Sequence, residues 1–191
     1  MNALVRRVTF DRLTGALTRR AGDEMLEAQF RHCIQNEMAI SLAFFDIDRF
    51  KQVNDDFGHQ VGDQVLRQFV THLHRSLRHG DSLIRWGGEE FLVVMVGSDR
   101  EGARIVVERL RQVGFGPRPD GQPLTASIGL AERVADCAND TTQLVELADR
   151  RMYEAKLGGR NCAVFGQGDV VANVIREVVA KVIGTAQQGQ G

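Results

Sequence analysis

Three carboxylates stand where a folded chain could bind divalent cations. Asp46 ends an apolar run that is typical of a strand buried on both faces, and Glu89 and Glu90 directly follow the Gly87-Gly88 pair. Carboxylates on adjacent strands suit hard cations such as Mg²⁺, which take oxygen ligands and substrate phosphates. Because two such ions can bind the attacking and leaving oxygens of an in-line displacement, the pattern indicates phosphoryl transfer.

The glycine pair at residues 87–88 predicts the tip of a β-hairpin, since apolar runs flank it on both sides. A two-residue loop would pair Arg85 with Glu90 and would turn Glu89 and Glu90 toward opposite faces. Glycines at the tip would let a phosphate or ribose approach the backbone closely. Taken singly, the hairpin favours an ordinary turn with solubilising glutamates and an Arg85–Glu90 cross-strand pair. When the strand that ends at Asp46 is considered together with the hairpin, a metal-binding site and an ordinary turn are about equally favoured.

The rest of the chain must position these groups, and its hydrophobic periodicity predicts the elements. Helices are predicted over residues 20–36, 49–57, 63–77, 99–111 and 141–157, and strands over 40–45, 83–86, 91–96, 124–130 and 162–165. The first helix should present one apolar face, made of Met25, Leu26, Phe30 and Ile34. Gly58 and Gly62 should separate the second helix from the third. This order predicts an α/β sandwich whose central, mainly antiparallel, five-stranded sheet is flanked by helices.

The two ends of the chain differ in character from this principal domain, which covers residues 11–166. Residues 1–10 suggest a linker or the end of a signalling helix. Valines at helical spacing predict an additional amphipathic helix over residues 167–184. Residues 185–191 are rich in Gly and Gln, which is typical of a disordered tail.

Composition excludes several classes of function. A net charge of -1 provides no basic field for nucleic acid or anionic lipid, so we expect neither as a partner of this segment. Three cysteines without a CxxC pair suit a reducing compartment, and no apolar run is long enough to span a bilayer. We therefore expect a cytoplasmic domain, whose parent protein could be membrane-anchored. Walker, HExxH and GxSxG motifs are absent from the sequence.

Several ordered motifs are similar to those of the GGDEF family in its GGEEF form. They lie at residues 11–15 and 19–20, 45–51 and 53–55, 57–59 and 62–63, 85–91, 125–129, and 148–161. The resemblance spans residues 11–165 and departs at Ala16 and Thr18, where Leu and Asn are usual. It implies a palm-like, nucleotidyl-cyclase-like fold and a diguanylate cyclase, which condenses two GTP into cyclic di-GMP and two pyrophosphates. It further implies a homodimer in bacterial second-messenger signalling, with two Mg²⁺ or Mn²⁺ ions per active site.

By this resemblance, Asp46, Glu89 and the Ile47 carbonyl would bind the metal ions. Glu90 would lie at the site and assist the attacking 3′-hydroxyl, so that Asp46, Glu89 and Glu90 are the catalytic carboxylates. Asp48 is interpreted differently, as a surface residue or a helix N-cap.

The resemblance also assigns residues to the nucleotide. Asn54 and Asp63 would bind guanine, whose adjacent N–H donors a carboxylate can accept together. Alternatively, Asp63 is a helix N-cap and Asn54 a turn residue. Residues implied to hold the triphosphate or to let it approach are Phe50, Lys51, Gly87, Gly88, Lys156 and Arg160. Lys156 could instead complement the dipole of its own helix.

Arg78 and Asp81 imply a second nucleotide site. Five residues separate the end of their RxxD pattern from Gly87, which resembles the inhibitory site of the family, where cyclic di-GMP binds as product. The Arg78 guanidinium can hold phosphate or the Hoogsteen edge of guanine, and Asp81 can accept guanine N–H donors. The alternative is a solvated helix end, with Arg78 on the helix dipole and Asp81 in a turn.

Two other functions fit parts of the pattern. One is a catalytically silent module that only senses GTP or cyclic di-GMP. The other is a nucleotidyl cyclase with a mononucleotide product, against which the family resemblance argues. The residues that argue against a silent module are Asp46, Gly87, Gly88, Glu89 and Lys156.

Overall fold

The structure, a computed structural model, describes residues 9–166 and 170–172. Its helices are α1 (Arg19–Gln35), α2 (Phe50–Phe57), α3 (His59–Ser76), α4 (Arg100–Val113) and α5 (Thr141–Leu157). Its strands are β1 (Leu17–Thr18), β2 (Ile40–Ile47), β3 (Asp81–Arg85), β4 (Glu90–Val96), β5 (Ala126–Glu132), β6 (Cys162–Val164) and β7 (Val170–Ala172). None of the helices within these residues is both long and apolar enough to cross a lipid bilayer.

The strands form one mixed sheet of seven in the order β1-β3-β4-β2-β5-β6-β7. The central strand β2 is antiparallel to β4 and β5, while β1 with β3 and β5 with β6 are parallel pairs. The predicted α/β sandwich is confirmed, and each predicted strand is present. The predicted number of five strands is corrected to seven, because two short strands pair with edges that β3 and β6 would otherwise leave open.

Alternating side chains of β2 divide the core into two layers. Every residue of Ile40–Ile47 is buried. Phe45 and Ile47 pack with residues of α2, α3 and α4, whereas Phe44 packs with residues of α1 and α5. Since successive side chains of a strand point to opposite faces, Asp46 shares the face of Phe44. The sheet therefore places Asp46 on the side of α5.

Close contact between β5 and α5 depends on Gly129. A Cβ atom at this position would lie 2.0 Å from the Ala148 carbonyl oxygen and 2.3 Å from the Met152 nitrogen. The backbone of the helix therefore rests directly on the strand. This close packing sets the position at which α5 ends relative to β2.

Two helices differ from the prediction. α3 begins at His59 and continues through Gly62, because one glycine weakens a helix by only about 1 kcal/mol. In α1, Ile34 is exposed and Cys33 is buried in its place. The buried stripe of α1 continues from Phe30 to Cys33, at helical spacing, and leaves Ile34 outside.

The predicted helix over residues 167–184 is wrong at Val170–Ala172, which form β7. This strand pairs antiparallel with β6, so β6 is not the edge strand that the sequence predicts. β-Branched valines favour a strand, and the open edge of β6 offers hydrogen bonds that a helix could not use. The rest of the predicted helix, the predicted tail and residues 1–8 lie outside the described residues.

A buried ionic network joins α4, β5 and α5 around Asp136. The Nη1 and Nη2 atoms of Arg151 each lie 2.7 Å from a carboxylate oxygen of Asp136, and Arg100 donates to the same carboxylate. The Glu132 backbone N–H adds a hydrogen bond of 2.9 Å. Burial alone would raise the pKa of Asp136, but the bonds from Arg151 and Glu132 hold it below its ordinary value.

We expect Asp136→Asn to lower the free energy of unfolding by about 3 kcal/mol at neutral pH, because it leaves buried arginine charge uncompensated. The lowered pKa means that the unfolded chain binds this proton more tightly than the folded chain. The stability it contributes is therefore present above the ordinary aspartate pKa and is lost as pH falls through the folded pKa. Urea titrations at neutral and acid pH measure both effects.

The matched control is Glu24→Gln, which removes a charge from the exposed Arg20–Glu24 pair and should change the stability little. If Asp136→Asn is as stable as Glu24→Gln, the network does not stabilise the fold.

Candidate active site

Asp46 lies at the end of β2, opposite Glu90 in β4 and Ser127 in β5. Its side chain is 7% exposed, and its Oδ2 lies 2.7 Å from Nζ of Lys156 in the last turn of α5. Burial raises the pKa of Asp46, and the bond and charge of Lys156 offset this only in part. Lys156 is therefore held at the carboxylate by an ion pair, beyond any interaction with the dipole of its own helix.

Glu89 and Glu90 bring two more carboxylates to the same place. Burial raises the pKa of both, the charge of Asp46 raises it further, and Lys156 lowers it. The Glu89 carbonyl accepts a hydrogen bond of 3.3 Å from the Ile47 N–H, which joins the hairpin loop to the end of β2. The three carboxylates carry more negative charge than the Lys156 ammonium balances.

This excess of negative charge fits a divalent cation. Crowded carboxylates with raised pKa values are stabilised when a cation neutralises their repulsion, and carboxylate oxygens are ligands that Mg²⁺ accepts. Among the described residues, no three His, Cys, Asp or Glu side chains are grouped as a metal cluster. A cation at this place would therefore also need backbone or substrate oxygens.

The hairpin loop is wider than the sequence predicts. Arg85 pairs with Phe91 and β4 begins at Glu90, so four residues separate the two strands. The backbone N–H groups of Trp86 and Gly87 both donate to the Glu90 carbonyl, at 2.9 and 3.2 Å. This shared acceptor closes the wider loop, and the prediction of a two-residue loop is wrong.

Arg85 contacts Asp11 and not Glu90, so the predicted Arg85–Glu90 pair is wrong. The Nη1 of Arg85 lies 3.0 Å from Oδ1 of Asp11, and its Nη2 donates to the Gly88 carbonyl at 2.8 Å. Burial would raise the pKa of Asp11, but hydrogen bonds from Thr14 and Arg85 hold it below its ordinary value. Arg85 thus ties the loop to Asp11, a contact that sequence reasoning missed although Asp11 begins the first of the family-like motifs.

The two glycines of the loop differ in their surroundings. A Cβ atom at Gly87 would lie 2.2 Å from Oε2 of Glu90, whereas a Cβ atom at Gly88 would meet nothing within 4 Å. Gly87 therefore makes room for the Glu90 carboxylate. Gly88 is exposed and leaves space for another molecule to approach. Beside them, Trp86 packs edge-on against Phe44, with ring centroids 6.3 Å apart.

Asp48 is neither the surface residue nor the helix N-cap that the sequence predicts. It is 4% exposed, and its carboxylate accepts hydrogen bonds from the Thr125 and Ser127 hydroxyls at 2.7 Å and from the Asn161 N–H at 2.9 Å. A buried carboxylate needs such donors, and two segments of the chain supply them. The N-cap position of α2 is occupied by Arg49, with a left-handed φ of 57°.

Asn54 and Asp63 lie within neighbouring helices. Asn54 is inside α2 and Asp63 inside α3, which follows Gly58, so neither is the turn or cap residue that the sequence left open. A Cβ atom at Gly62 would lie 1.9 Å from Oδ1 of Asn54. The Asn54 amide therefore rests on the backbone next to Asp63, which places the two predicted guanine-binding residues beside each other.

The predicted phosphate-binding residues lie on two elements. Phe50 and Lys51 form the first turn of α2, where Phe50 is buried and Lys51 is exposed. Lys156 lies in the last turn of α5, and Arg160 follows it with a φ of 65°. Burial raises the pKa of Asp46, and the charges of both Lys156 and Arg160 lower it. Lys156 thus forms an ion pair with this carboxylate, whereas Arg160 contributes its charge alone.

Arg78 and Asp81 lie apart from these carboxylates: Arg78 follows α3, and Asp81 is the first residue of β3. The Nε of Arg78 lies 3.0 Å from Oδ1 of Asp81, and its Nη2 donates to the Val96 carbonyl at 2.6 Å and to the Ser98 hydroxyl at 2.9 Å. Asp81 also accepts the Arg78 backbone N–H at 3.1 Å. The pair closes a turn, in agreement with the alternative interpretation that placed Asp81 in a turn. It also lines a cavity of about 570 Å³.

A family model described as diguanylate cyclase, GGDEF domain, matches residues 8–162. The diguanylate cyclase DgcP of Pseudomonas aeruginosa is 38% identical over 156 residues, which cover 79% of this chain and 23% of that protein. The response regulator PleD of Caulobacter vibrioides is 34% identical over 166 residues, which cover 81% of this chain and 35% of that protein. The chain therefore spans less than half the length of these curated relatives.

Solved structures share the fold. The GGDEF domain of DgcB from Caulobacter crescentus, in complex with cyclic di-GMP, has a TM-score of 0.75 at 32% identity, covering 83% of this chain and 96% of that one. The diguanylate cyclase SiaD from Pseudomonas aeruginosa, in complex with its activator SiaC, has a TM-score of 0.77 at 34% identity. The match covers 86% of this chain and 64% of that one. The expected palm-like fold is confirmed, and the chain belongs to the GGDEF domain family of diguanylate cyclases.

Proposed function

We propose that this chain is a diguanylate cyclase, which condenses two molecules of GTP into cyclic di-GMP and two pyrophosphates. The observation that carries the proposal is the convergence of Asp46, Glu89 and Lys156 beside a loop that is open at Gly88. Carboxylates suited to a divalent cation and an ammonium suited to phosphate lie where a nucleotide can approach the backbone. Membership of the GGDEF family supports this use of the site.

Two Mg²⁺ or Mn²⁺ ions are the proposed cofactors. Asp46, Glu89 and the Ile47 carbonyl would hold them, because burial raises the pKa of both carboxylates, the charge of Asp46 raises that of Glu89 further, and bound cations would offset this repulsion. When bound, such ions neutralise phosphate charge and bind the attacking and leaving oxygens of an in-line displacement. Lys156, already 2.7 Å from Asp46, would add positive charge for the same phosphates.

Glu90 is proposed to accept the proton of the attacking 3′-hydroxyl. Burial, and then the charge of Asp46, raise its pKa, which makes it a stronger base than an exposed glutamate. Gly87 leaves room for its carboxylate, and Glu90 pairs with Asp46 across the sheet. The proton acceptor would therefore lie beside the carboxylates that hold the metal ions.

Asn54 and Asp63 are proposed to bind guanine. The Asp63 carboxylate can accept both N–H donors on the Watson–Crick edge of guanine, whereas adenine presents an acceptor there. A site built for such hydrogen bonds rejects the wrong base by roughly 10⁴. Asn54 is positioned by Gly62 next to Asp63, which supports a shared role.

The triphosphate is proposed to lie between the start of α2 and the end of α5. Backbone N–H groups at a helix N-terminus favour anions, and lysine and arginine side chains add charge. The glycines let the nucleotide approach the loop. The proposed ligands are the backbone at Phe50, Gly87 and Gly88 and the side chains of Lys51, Lys156 and Arg160.

A symmetric homodimer is the proposed working form. Each chain has one set of these residues, and the product joins two nucleotides by two equivalent bonds. A two-fold axis would let each bound GTP present its 3′-hydroxyl to the α-phosphate of the other, with pyrophosphate leaving. Catalysis then rests mainly on positioning and charge neutralisation.

Replacement of Glu89 by Gln should lower turnover of GTP roughly a thousandfold, since it removes charge at the reaction centre but little volume. The turnover is measured by chromatography, as the rate at which cyclic di-GMP forms from GTP in the presence of Mg²⁺. The matched control is Glu154→Gln on the exposed face of α5, which should react at the wild-type rate. Near-normal turnover in Glu89→Gln would remove Glu89 from the metal site. A wild-type chain that binds GTP but forms no product would be a silent module.

Replacement of Asp63 by Ala should weaken GTP binding about 10- to 100-fold, because charged hydrogen bonds to the base are lost. The melting temperature should change little, since Asp63 lies inside α3 and is not its cap. Titration calorimetry with a non-hydrolysable GTP analogue and thermal melts measure the two quantities, with Asp56→Ala on the exposed face of α2 as control. A variant that melts much lower yet binds the analogue normally would assign Asp63 a structural role.

Arg78 and Asp81 are proposed to form an inhibitory site for cyclic di-GMP. Arg78 is about half exposed, and its Nη1 makes no hydrogen bond within residues 9–166, so part of the guanidinium can reach a ligand. The adjoining cavity of about 570 Å³ provides space. Because β3 leads from Asp81 to Arg85, a ligand there could restrain the catalytic loop.

Cyclic di-GMP added during GTP turnover should inhibit the wild-type chain. In Arg78→Ala, the concentration of cyclic di-GMP needed for half-maximal inhibition should rise about tenfold, because charge-assisted contacts to the ligand are lost. Arg75→Ala, in the last turn of α3, is the matched control and should retain the wild-type response. Equal sensitivity of Arg78→Ala and wild type, or no inhibition of either, would exclude Arg78 from an inhibitory role.

A further inference from the structure

The segment between α5 and β6 presents Arg160 on an uncommon backbone conformation. Gly159, Arg160 and Asn161 have positive φ angles of 113°, 65° and 49°, a region that residues other than glycine seldom occupy. The Arg160 N–H donates to the Ala155 carbonyl at 3.0 Å, just past the end of α5. The direction of the Arg160 side chain therefore depends on what holds these left-handed residues in place.

Asp48 holds the segment from the side of β2. Its Oδ2 accepts the Asn161 N–H at 2.9 Å, and hydroxyls of Thr125 and Ser127 complete its hydrogen bonds. Asp48 stands two residues after Asp46 along the chain. The backbone beside Arg160 is therefore bonded directly to the end of the strand that carries Asp46.

Arg111 holds the same residue from the opposite layer. It lies in the last turn of α4, is 8% exposed, and donates from Nη2 to the Asn161 carbonyl at 3.1 Å. Its buried Nε has no hydrogen-bond partner within the described residues. A guanidinium is costly to bury without hydrogen-bond partners. The bond from Nη2 to the Asn161 carbonyl is therefore the specific contact that offsets the burial of Arg111.

We propose that Asp48 and Arg111 are positioning residues, which hold the N–H and the carbonyl of Asn161 and thereby direct Arg160 toward substrate phosphate beside Asp46. The proposal rests on the proposed function of Arg160 as a phosphate ligand. Hydrogen bonds with a charged partner are stronger than neutral ones. Two of them, on the two sides of one residue, oppose relaxation of the strained segment.

Arg111→Met removes the donor and keeps a long side chain. We expect the KM for GTP to rise about tenfold while kcat changes little, because phosphate binding is misaligned before chemistry begins. Arg111→Lys keeps a cationic donor and should restore most of the wild-type KM. The matched control is Arg104→Met on the same helix, which pairs with Glu101 and Glu108 and should leave the KM unchanged.

A double-mutant cycle shows whether Arg111 acts through Arg160. In an Arg160→Ala background, Arg111→Met should add little to the KM, because the group that it positions is gone. Additive effects would overturn the proposal in favour of a general packing role, and so would an Arg160→Ala chain with the wild-type KM. Absence of any cyclic di-GMP from the wild-type chain would refute the proposed function instead.

Amide hydrogen exchange without nucleotide tests the two contacts independently of activity. The Asn161 amide should exchange about tenfold faster in Asp48→Asn and in Arg111→Met than in Arg104→Met, because the segment opens more readily. If Asp48→Asn does not fold, Arg111→Met still decides the outcome. Unchanged exchange at Asn161 in a folded Arg111→Met chain would overturn the proposal.

Discussion

The central strand β2 is hydrogen-bonded to β4 on one side and β5 on the other, and all of its residues are buried. This double pairing sets the register that puts Asp46 opposite both Glu90 and Ser127. A shift of one residue would turn Asp46 to the layer of α2, α3 and α4, away from Lys156. The hydrophobic burial that forms the sheet therefore also places the carboxylate.

Asp46 and Asp48 show how surroundings give the same residue type different roles. Both are buried. Asp46 has an ion pair with Lys156 and like charges around it, so its pKa is raised by burial and by repulsion from Asp48. Asp48 has three neutral donors, from Thr125, Ser127 and the Asn161 backbone. A carboxylate with a full set of hydrogen bonds stabilises the fold, whereas one crowded by negative charge suits a cation.

Several glycines mark close contacts between segments that are far apart or on different elements. Gly129 lets the backbone of α5 lie on β5, Gly62 accommodates the Asn54 amide, and Gly87 accommodates the Glu90 carboxylate. Because each of these glycines has no side chain, a group of the candidate site can lie against its backbone. In contrast, the open surroundings of Gly88 are the feature that suits an approaching ligand.

Sequence patterns alone predicted the fold class, the helix at Thr141–Leu157, the buried strand before Asp46 and the family, because periodicity and motif order are local properties. Those patterns did not predict the width of the hairpin loop, the partner of Arg85, the role of Asp48 or the strand β7, all of which became visible in the folded chain. Each of these depends on a group that local patterns do not include: a shared carbonyl acceptor, Asp11, Asn161, or the open edge of β6. Burial and hydrogen bonding between such distant segments arise only when the chain is folded.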